Sequence, residues 1–219
     1  MDEPLKLYTY WRSSAAYRVR IALNLKGLAY ESVPVHLAKD EQHAAGFQQV
    51  NPQELIPVLL HGDRVMTQSL AIIEYLDEAF PDRPLLPATA RERQRARAIA
   101  AMVACDIHPL GNLRVQQYLE REFGAEQAQR EGWTRHWIGK GFAAIEAMLA
   151  GNPSTGEFCE GDSPTIADCC LVPQVYNARR VNLDLAPFPT LARIDAACRD
   201  LEAVQAALPE RQADAPASA

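Results

Sequence analysis

Three short stretches hold the residues best suited to chemistry. In Trp11–Leu23, WRSSAAYRVRIAL, two adjacent serines, Ser13 and Ser14, stand where a short apolar strand hands over to a helix. The first turn of a helix presents unpaired backbone N–H groups and the positive end of the dipole, which together stabilise an anion or a thiolate. A redox protein would place its own cysteine at this junction. Hydroxyls there exclude protein-thiol exchange, but they can hydrogen-bond a thiolate brought by a ligand and lower its pKa. A serine that only caps the helix is the simpler alternative.

The second stretch is Asn51–Leu59, NPQELIPVL, with Pro57 just ahead of a strand. A proline at this place in a thioredoxin-like unit is typically cis, and it would leave the main chain of Ile56 free to pair with an extended peptide by strand addition. A proline in an ordinary edge strand is the alternative. The third is MTQSLAII, where Gln68 and Ser69 open a helix and supply another amide-rich N-terminus suited to a carboxylate; read alone, it is a helix cap. Together the three describe a site for a short peptide with a thiol in its middle and a carboxylate at one end. Glutathione meets that description.

The elements that must position these residues fall into two groups. Leu5–Tyr10 reads as a strand, and residues 13–26 carry apolar side chains at Ala15, Ala16, Val19, Ala22 and Leu23, a helical spacing stopped by Gly27. Tyr30–Leu37 alternates and returns as a second strand, parallel to the first. Residues 39–47 predict a short irregular helix. IPVLL and RVMT form a hairpin about Gly62–Asp63, and Ser69–Phe80 is a helix with Ser69 as its N-cap and an apolar face at Leu70, Ile73, Tyr75 and Leu76. The order βαβ(α)ββα is that of the thioredoxin fold.

Pro81–Ala90 holds three prolines in ten residues, and strand signals largely vanish after it. Helical stretches follow at about 90–120, 125–150, 165–180 and 189–208. TIAD, Thr165–Asp168, reads as a capping box, and Pro173 should kink the helix that it opens. The expected organisation is therefore an α/β thioredoxin-like domain at 4–83, a linker at 84–89, an all-helical domain at 90–210 and a flexible tail at 211–219.

Composition narrows the function classes. A net charge of −6 on 219 residues argues against nonspecific attraction to nucleic acid or anionic membrane. The basic run Arg91–Arg97, RERQRAR, reads as a solvated or interface face of a helix. No apolar run approaches the roughly 20 residues of a spanning helix, and the opening MDEPLKLY lacks the features of a secretory signal. Five cysteines without CxxC or metal-site spacing read as reduced thiols, which places the expected location in the cytoplasm. His36, His43, His61 and His136 show no nucleophile or metal spacing, and there is no glycine-rich phosphate loop.

The chain resembles the zeta class of glutathione transferases. YWRSSAAYRVRIALNLKG, NPQELIPVL, QSLAIIEYLDE, IHPLGNLRV and ADCCLVPQVYNARRVNLDLAPFPT follow that pattern in order, from about residue 5 to 210. The resemblance implies a glutathione-binding thioredoxin-like domain followed by an all-helical one, assembled as a homodimer. It implies that Ser13, with Ser14 beside it, activates the glutathione sulfur. Gln42, Ile56, Gln68 and Ser69 match peptide-binding positions, and His108 and Asn112 match the face of the first long helix toward the ligand. Arg12, Arg114 and Arg180 match positions that line a pocket for a dianionic acid, for which guanidinium is well suited. Each arginine also has a plainer reading: Arg180 complements a helix C-terminus, Arg114 is a solvated side chain, Arg12 pairs with an acid.

The implied activity is glutathione-dependent cis–trans isomerisation of maleylacetoacetate, as in tyrosine and phenylalanine breakdown, with no metal. Maleylpyruvate is the nearest alternative substrate, and a binding protein without turnover is the alternative of a different class. Two departures stand out: Ala15 replaces a cysteine frequent in the family, and Gly111 replaces a glutamine or asparagine.

Overall fold

A computed structural model of the chain describes residues 3–217. These divide into two compact units, residues 3–85 with 200–217, and residues 86–199.

The first unit is built on a four-stranded sheet in the order β2-β1-β3-β4. Strand β1 (Leu5–Thr9) alternates buried and half-buried residues, as a strand with one face in the core must. Helix α1 (Ser14–Lys26) leads to β2 (Glu31–Pro34), which lies parallel to β1. The parallel pairing and the hairpin of β3 (Val58–His61) with β4 (Arg64–Thr67) are as the sequence predicts. The irregular segment between β2 and β3 consists of two 3-10 turns, Leu37–Lys39 and Glu41–His43, and a short helix α2 (Ala45–Val50). Helix α3 (Ser69–Ala79) closes the βαβαββα order. Its N-cap is Gln68 rather than the expected Ser69, which is the first helical residue.

Gly27 stops α1 in the left-handed conformation at φ 71°, and its N–H bonds back to the helix. What the apolar spacing does not reveal is that α1 is buried on nearly every side, Arg18, Arg20 and Lys26 included. The reason lies in residues 200–217. Helix α9 (Glu202–Ala206) packs on α1, and Asn24 Nδ2 donates to the Ala203 carbonyl at 3.0 Å. Arg20 and Lys26 are each matched by several acceptors. Lys26 Nζ reaches Asp77 Oδ1 and the carbonyls of Asp82 and Arg83 within 3.2 Å, which answers the cost of burying an ammonium.

The placement of residues 200–217 departs from the sequence expectation, which ran the helical domain to 210 and left 211–219 as a flexible tail, of which 218–219 lie outside the described residues. Residues 211–217 are instead tied down: Gln212 Nε2 donates to the Ala206 and Leu208 carbonyls, and Asp214 accepts from the Trp11 N–H at 2.8 Å. A polar, proline-containing composition gave no sign of these long-range partners.

The second unit is helical. Helix α4 (Ala90–Ala101) opens with a capping box in which Thr89 and Glu92 satisfy each other's backbone N–H groups. The expected single stretch at 90–120 is not one helix. It passes through a π-helical segment (Met102–Ile107) and a 3-10 turn (His108–Gly111), and restarts as α5 (Leu113–Phe123). Pro109 lacks an N–H donor, and the Asn112 side chain caps the new helix by accepting from the Arg114 N–H at 3.2 Å. His108 and Asn112 therefore sit in a turn and at a cap, not on a helix face.

Helix α6 (Gln127–Leu149) is followed by α7 (Ile166–Arg180) and α8 (Pro189–Asp200). The expected helix at 189–208 is divided at Leu201, where extended backbone separates α8 from α9. The capping box at Thr165–Asp168 is present, with Asp168 Oδ2 accepting from the Thr165 N–H at 2.7 Å and from its hydroxyl at 2.9 Å. Helix α7 continues through Pro173 and is buried from Ile166 to Val175. The core forms between α7, α4 and α6, with Phe142, Ile145, Ile99 and Leu171 fully buried.

Candidate functional site

The register of the sheet brings the three stretches to one edge. Tyr8 pairs with Val58, and Val58 pairs with Thr67. The chain leaving β1, the chain entering β3 and the chain leaving β4 thus lie side by side, and they carry Tyr10–Ser14, Ile56–Pro57 and Gln68–Ser69. The Ile56–Pro57 peptide bond is cis. Ile56 packs with Tyr10, Val35, Phe47 and Val58, fixing the first two of these segments against each other.

Ser13 is the N-cap of α1. Its Oγ accepts from the Ala16 N–H at 3.3 Å, and its own N–H donates to the Tyr10 carbonyl at 2.9 Å. The cap and the anion site are compatible roles, because a hydroxyl that accepts through a lone pair keeps its O–H to donate. Ser14, one residue on, is buried as the first residue of α1.

Ser69 opens α3 from a buried position, and its Oγ accepts from Arg18 Nη1 at 3.1 Å. Gln68 before it is exposed and holds a left-handed φ of 70°, with Nε2 donating to Gln53 Oε1 at 3.0 Å. A glutamine in that backbone region is unusual, and such positions cluster at ligand-binding edges. Gln42 lies in the 3-10 turn Glu41–His43. It is turned inward: Nε2 faces Asp40 Oδ1 at 3.5 Å, and Oε1 is buried without a partner among the described residues. The neighbouring His43 Nδ1 meets Glu54 Oε2 at 2.9 Å, tying this turn to the loop before Pro57. The Gln48 and His43 hydrogen bonds hold the Glu54 carboxyl below its ordinary pKa.

Arg12, exposed, lies over the Trp11 ring at 5.3 Å, a cation–π contact. In the helical unit, Asn112 Nδ2 and His108 Nε2 are 3.4 Å apart. Arg114 and Arg180 are both exposed, and Arg180 Nη1 donates to Asn177 Oδ1 at 3.3 Å. A Cβ added at Gly111 would come within 3.3 Å of the Thr134 methyl, so the side chain usual there in the family would press on α6.

Two residues behind the edge escaped the sequence reading. Arg18 lies beneath Ser69, and Arg20 lies beneath the Tyr10–Trp11 turn with Nη1 on the Tyr10 carbonyl and Nη2 on the Trp11 carbonyl. Their only signal was two cations two residues apart inside an otherwise apolar helical run. Among the described residues no group of acidic, histidine and cysteine side chains forms a metal site.

Residues 3–78 match the family model described as glutathione S-transferase, N-terminal domain. The maleylacetoacetate isomerase of Rhizobium meliloti is 54% identical over 206 residues, covering 94% of this chain and 96% of that protein. A holo structure of a maleylpyruvate isomerase, described as a bacterial zeta-class glutathione transferase, superposes with a TM-score of 0.95 at 51% identity, covering 96% of this chain and all of the other. The maleylacetoacetate isomerase of Anaeromyxobacter dehalogenans 2CP-1, solved with dicarboxyethyl glutathione and citrate, superposes with a TM-score of 0.86 at 43% identity, covering 99% and 100%.

Proposed function

This chain belongs to the zeta class of glutathione transferases, and we propose that it is a glutathione-dependent cis–trans isomerase of a maleyl diacid, maleylacetoacetate first. The observation that carries the reading is the single sheet edge that gathers the Ser13 hydroxyl at the head of α1, the main chain of Ile56 before a cis proline, and the head of α3 at Ser69. That donor set matches a tripeptide with a central thiol and a terminal carboxylate. Bound glutathione supplies a thiolate that adds to the activated double bond and is expelled after rotation. Dicarboxyethyl glutathione, held by a relative, is chemically what sulfur addition across a butenedioate double bond yields.

The chain's own residues would do the rest. Ser13 donates its O–H to the sulfur, and the α1 dipole favours the ionised form. Ser14 stands beside Ser13 in the catalytic pair, Ile56 pairs main chain to main chain with the peptide, Gln68 and Ser69 bind the carboxylate, and Gln42 completes that binding group. His108 and Asn112 are assigned to glutathione from the helical unit. Arg12, Arg114 and Arg180 are assigned to the two carboxylates of the substrate, holding them while the central bond turns. We also propose a cytoplasmic homodimer, in which the exposed groove of α4 lined by Ala90, Arg93, Gln94, Arg97, Ala98 and Ala101 meets a second copy; sedimentation at micromolar concentration tests it.

Maleylpyruvate is the second reading, favoured by the 51% identical maleylpyruvate isomerase. The deciding experiment assays wild type and Ser13→Ala on both acids, with and without glutathione. Glutathione-dependent turnover lost in Ser13→Ala is expected. Turnover without glutathione would sink the mechanism, equal activity in the variant would move catalysis away from Ser13, and binding to immobilised glutathione with no turnover of either acid would make the chain a binding protein.

A further inference from the structure

The turn that delivers Ser13 is held by a segment about two hundred residues away along the chain. Asp214 Oδ2 accepts from the Trp11 N–H at 2.8 Å. Arg20, fully buried, spreads one guanidinium over four acceptors: Nε to the Ala207 carbonyl at 3.2 Å, Nη1 to Thr9 Oγ1 at 3.1 Å and the Tyr10 carbonyl at 3.2 Å, and Nη2 to the Trp11 carbonyl at 3.0 Å. The planar fork of arginine suits it to hold several carbonyls in one fixed arrangement. Both main-chain groups of Trp11 are therefore engaged, its N–H by Asp214 and its carbonyl by Arg20.

Trp11 matters because of its neighbours in the turn. The Tyr10 carbonyl that Arg20 holds is also the acceptor for the Ser13 N–H, at 2.9 Å. The Trp11 ring is the surface on which Arg12 rests. The segment that supplies the latch is itself ordered: a 3-10 turn at Pro209–Arg211, the Gln212 side chain on the Ala206 and Leu208 carbonyls, and the Ala215 N–H on the Gln212 carbonyl at 3.0 Å.

We infer that Asp214 is a positioning residue for catalysis, fixing the Trp11–Ser13 turn so that the Ser13 hydroxyl stands ready to meet the glutathione sulfur. The inference rests on the isomerase reading above. It follows from which groups are held. The contacts proposed for the peptide backbone and carboxylate of glutathione come from Ile56, Gln68 and Ser69, none of which Asp214 touches. The contact to the sulfur comes from Ser13, whose turn Asp214 does hold. Loss of the latch should therefore act on the ionisation of the sulfur and on kcat, and leave glutathione binding nearly alone.

The test compares Asp214→Ala, which removes the acceptor, with Asp214→Asn, which keeps a side-chain carbonyl to receive the Trp11 N–H. Three readouts are taken: kcat and KM for glutathione, the pH titration of the bound thiolate by its ultraviolet absorbance, and hydrogen exchange of the peptide covering residues 10–16. Asp214→Ala is expected to lower kcat by about tenfold or more, as displacement of a catalytic group does, with KM for glutathione within about twofold. It should also raise the pKa of the bound thiol and speed exchange in the 10–16 peptide. Asp214→Asn should restore all three toward wild type, and since it also removes a negative charge, it has no electrostatic reason to raise the thiol pKa.

Wild-type kcat in Asp214→Ala overturns the proposal, and so does a lowered melting temperature with kcat and thiol pKa unchanged, which is the mark of a merely structural contact. Equal impairment in the two variants also overturns it. If wild type forms no thiolate with glutathione, the isomerase reading fails and this inference with it. The exchange arm separates the two failures: exchange unaltered by Asp214→Ala means that the latch itself is wrong, whatever the wild type does with glutathione.

Discussion

Arg18 Nη1 donates to Ser69 Oγ at 3.1 Å across the first unit, linking a buried cation of α1 to the first residue of α3. A serine hydroxyl that accepts from a guanidinium has its O–H left as donor, and the nearby positive charge adds to the field of the α3 N-terminus. Both effects favour a carboxylate at the head of α3. Under the proposed reading, Arg18 would support the carboxylate contact that sequence reasoning gave to Gln68 and Ser69 alone.

The first prediction concerns that carboxylate. Ser69→Ala removes a donor to a charged group, a loss of about 1.5–3 kcal/mol, or roughly 10- to 100-fold in the Kd for glutathione. Calorimetric titration reads it directly. The pKa of the bound thiol should stay as in wild type, because Ser69 is assigned to the carboxylate and not to the sulfur. An unchanged Kd would remove Ser69 from the binding set.

The second separates the two roles of Ser13. Aspartate caps a helix about as well as serine does, whereas alanine costs about 0.5–2 kcal/mol. Ser13→Asp should therefore keep the stability of wild type in urea unfolding while Ser13→Ala loses about 1 kcal/mol. Activity should fall in both. In Ser13→Asp the carboxylate would repel a thiolate, so the bound thiol should titrate at higher pH. A Ser13→Asp variant that kept full activity would leave Ser13 as a cap and nothing more.

Much of the first unit could be read from local signals, because they are local facts. Gly27 stops α1 where the apolar spacing ends, Gly62–Asp63 turns the hairpin, and Pro57 stands before a strand. The cap at Ser13 was legible for the same reason: a hydroxyl at a strand-to-helix junction has few roles. What stayed hidden depends on distant partners. Nothing near Arg20 or Lys26 says that residues 77, 83 or 207 supply their acceptors, so the burial of these cations in α1 had no local signal. Composition made residues 211–217 look loose when one carboxylate fixes them to Trp11. The break in 90–120 went unread although Pro109 marks it, and the cap that restarts the helix needs Asn112 in extended backbone, which periodicity does not register.

A third prediction concerns the thiols. Burial pushes the Cys159 thiol well above its ordinary pKa, and the Asp168 carboxylate beside it adds to this; burial likewise raises Cys198, with Asp168 and Asp195 contributing. Raised thiol pKa values leave almost no thiolate at neutral pH. Cys169 and Cys170 are buried as well, and only Cys105 is exposed. Native alkylation with iodoacetamide should therefore place one label per chain, on Cys105, and all five cysteines should react after denaturation. Residue 15, an alanine here, offers no thiol for inactivation. A second label under native conditions, located by mass spectrometry, would show that the core around Asp168 opens.

The last prediction addresses the diacid. Arg114 and Arg180 are exposed, in contrast to Arg95, which braces the helical core through its ion pair with the buried Glu160. Their replacement should therefore cost little stability. If they hold substrate carboxylates, Arg114→Gln and Arg180→Gln should each raise KM for the maleyl acid by about 10- to 100-fold, the worth of one charge-assisted hydrogen bond. The Kd for glutathione should not move, since the acid and the tripeptide are assigned to different residues. Arg180→Lys sharpens the test: it keeps the charge but loses the planar fork, and should recover only part of the loss if binding is bidentate. Full recovery by lysine would mean that Arg180 acts as a point charge, and an unchanged KM in all three variants would move the substrate site away from both arginines.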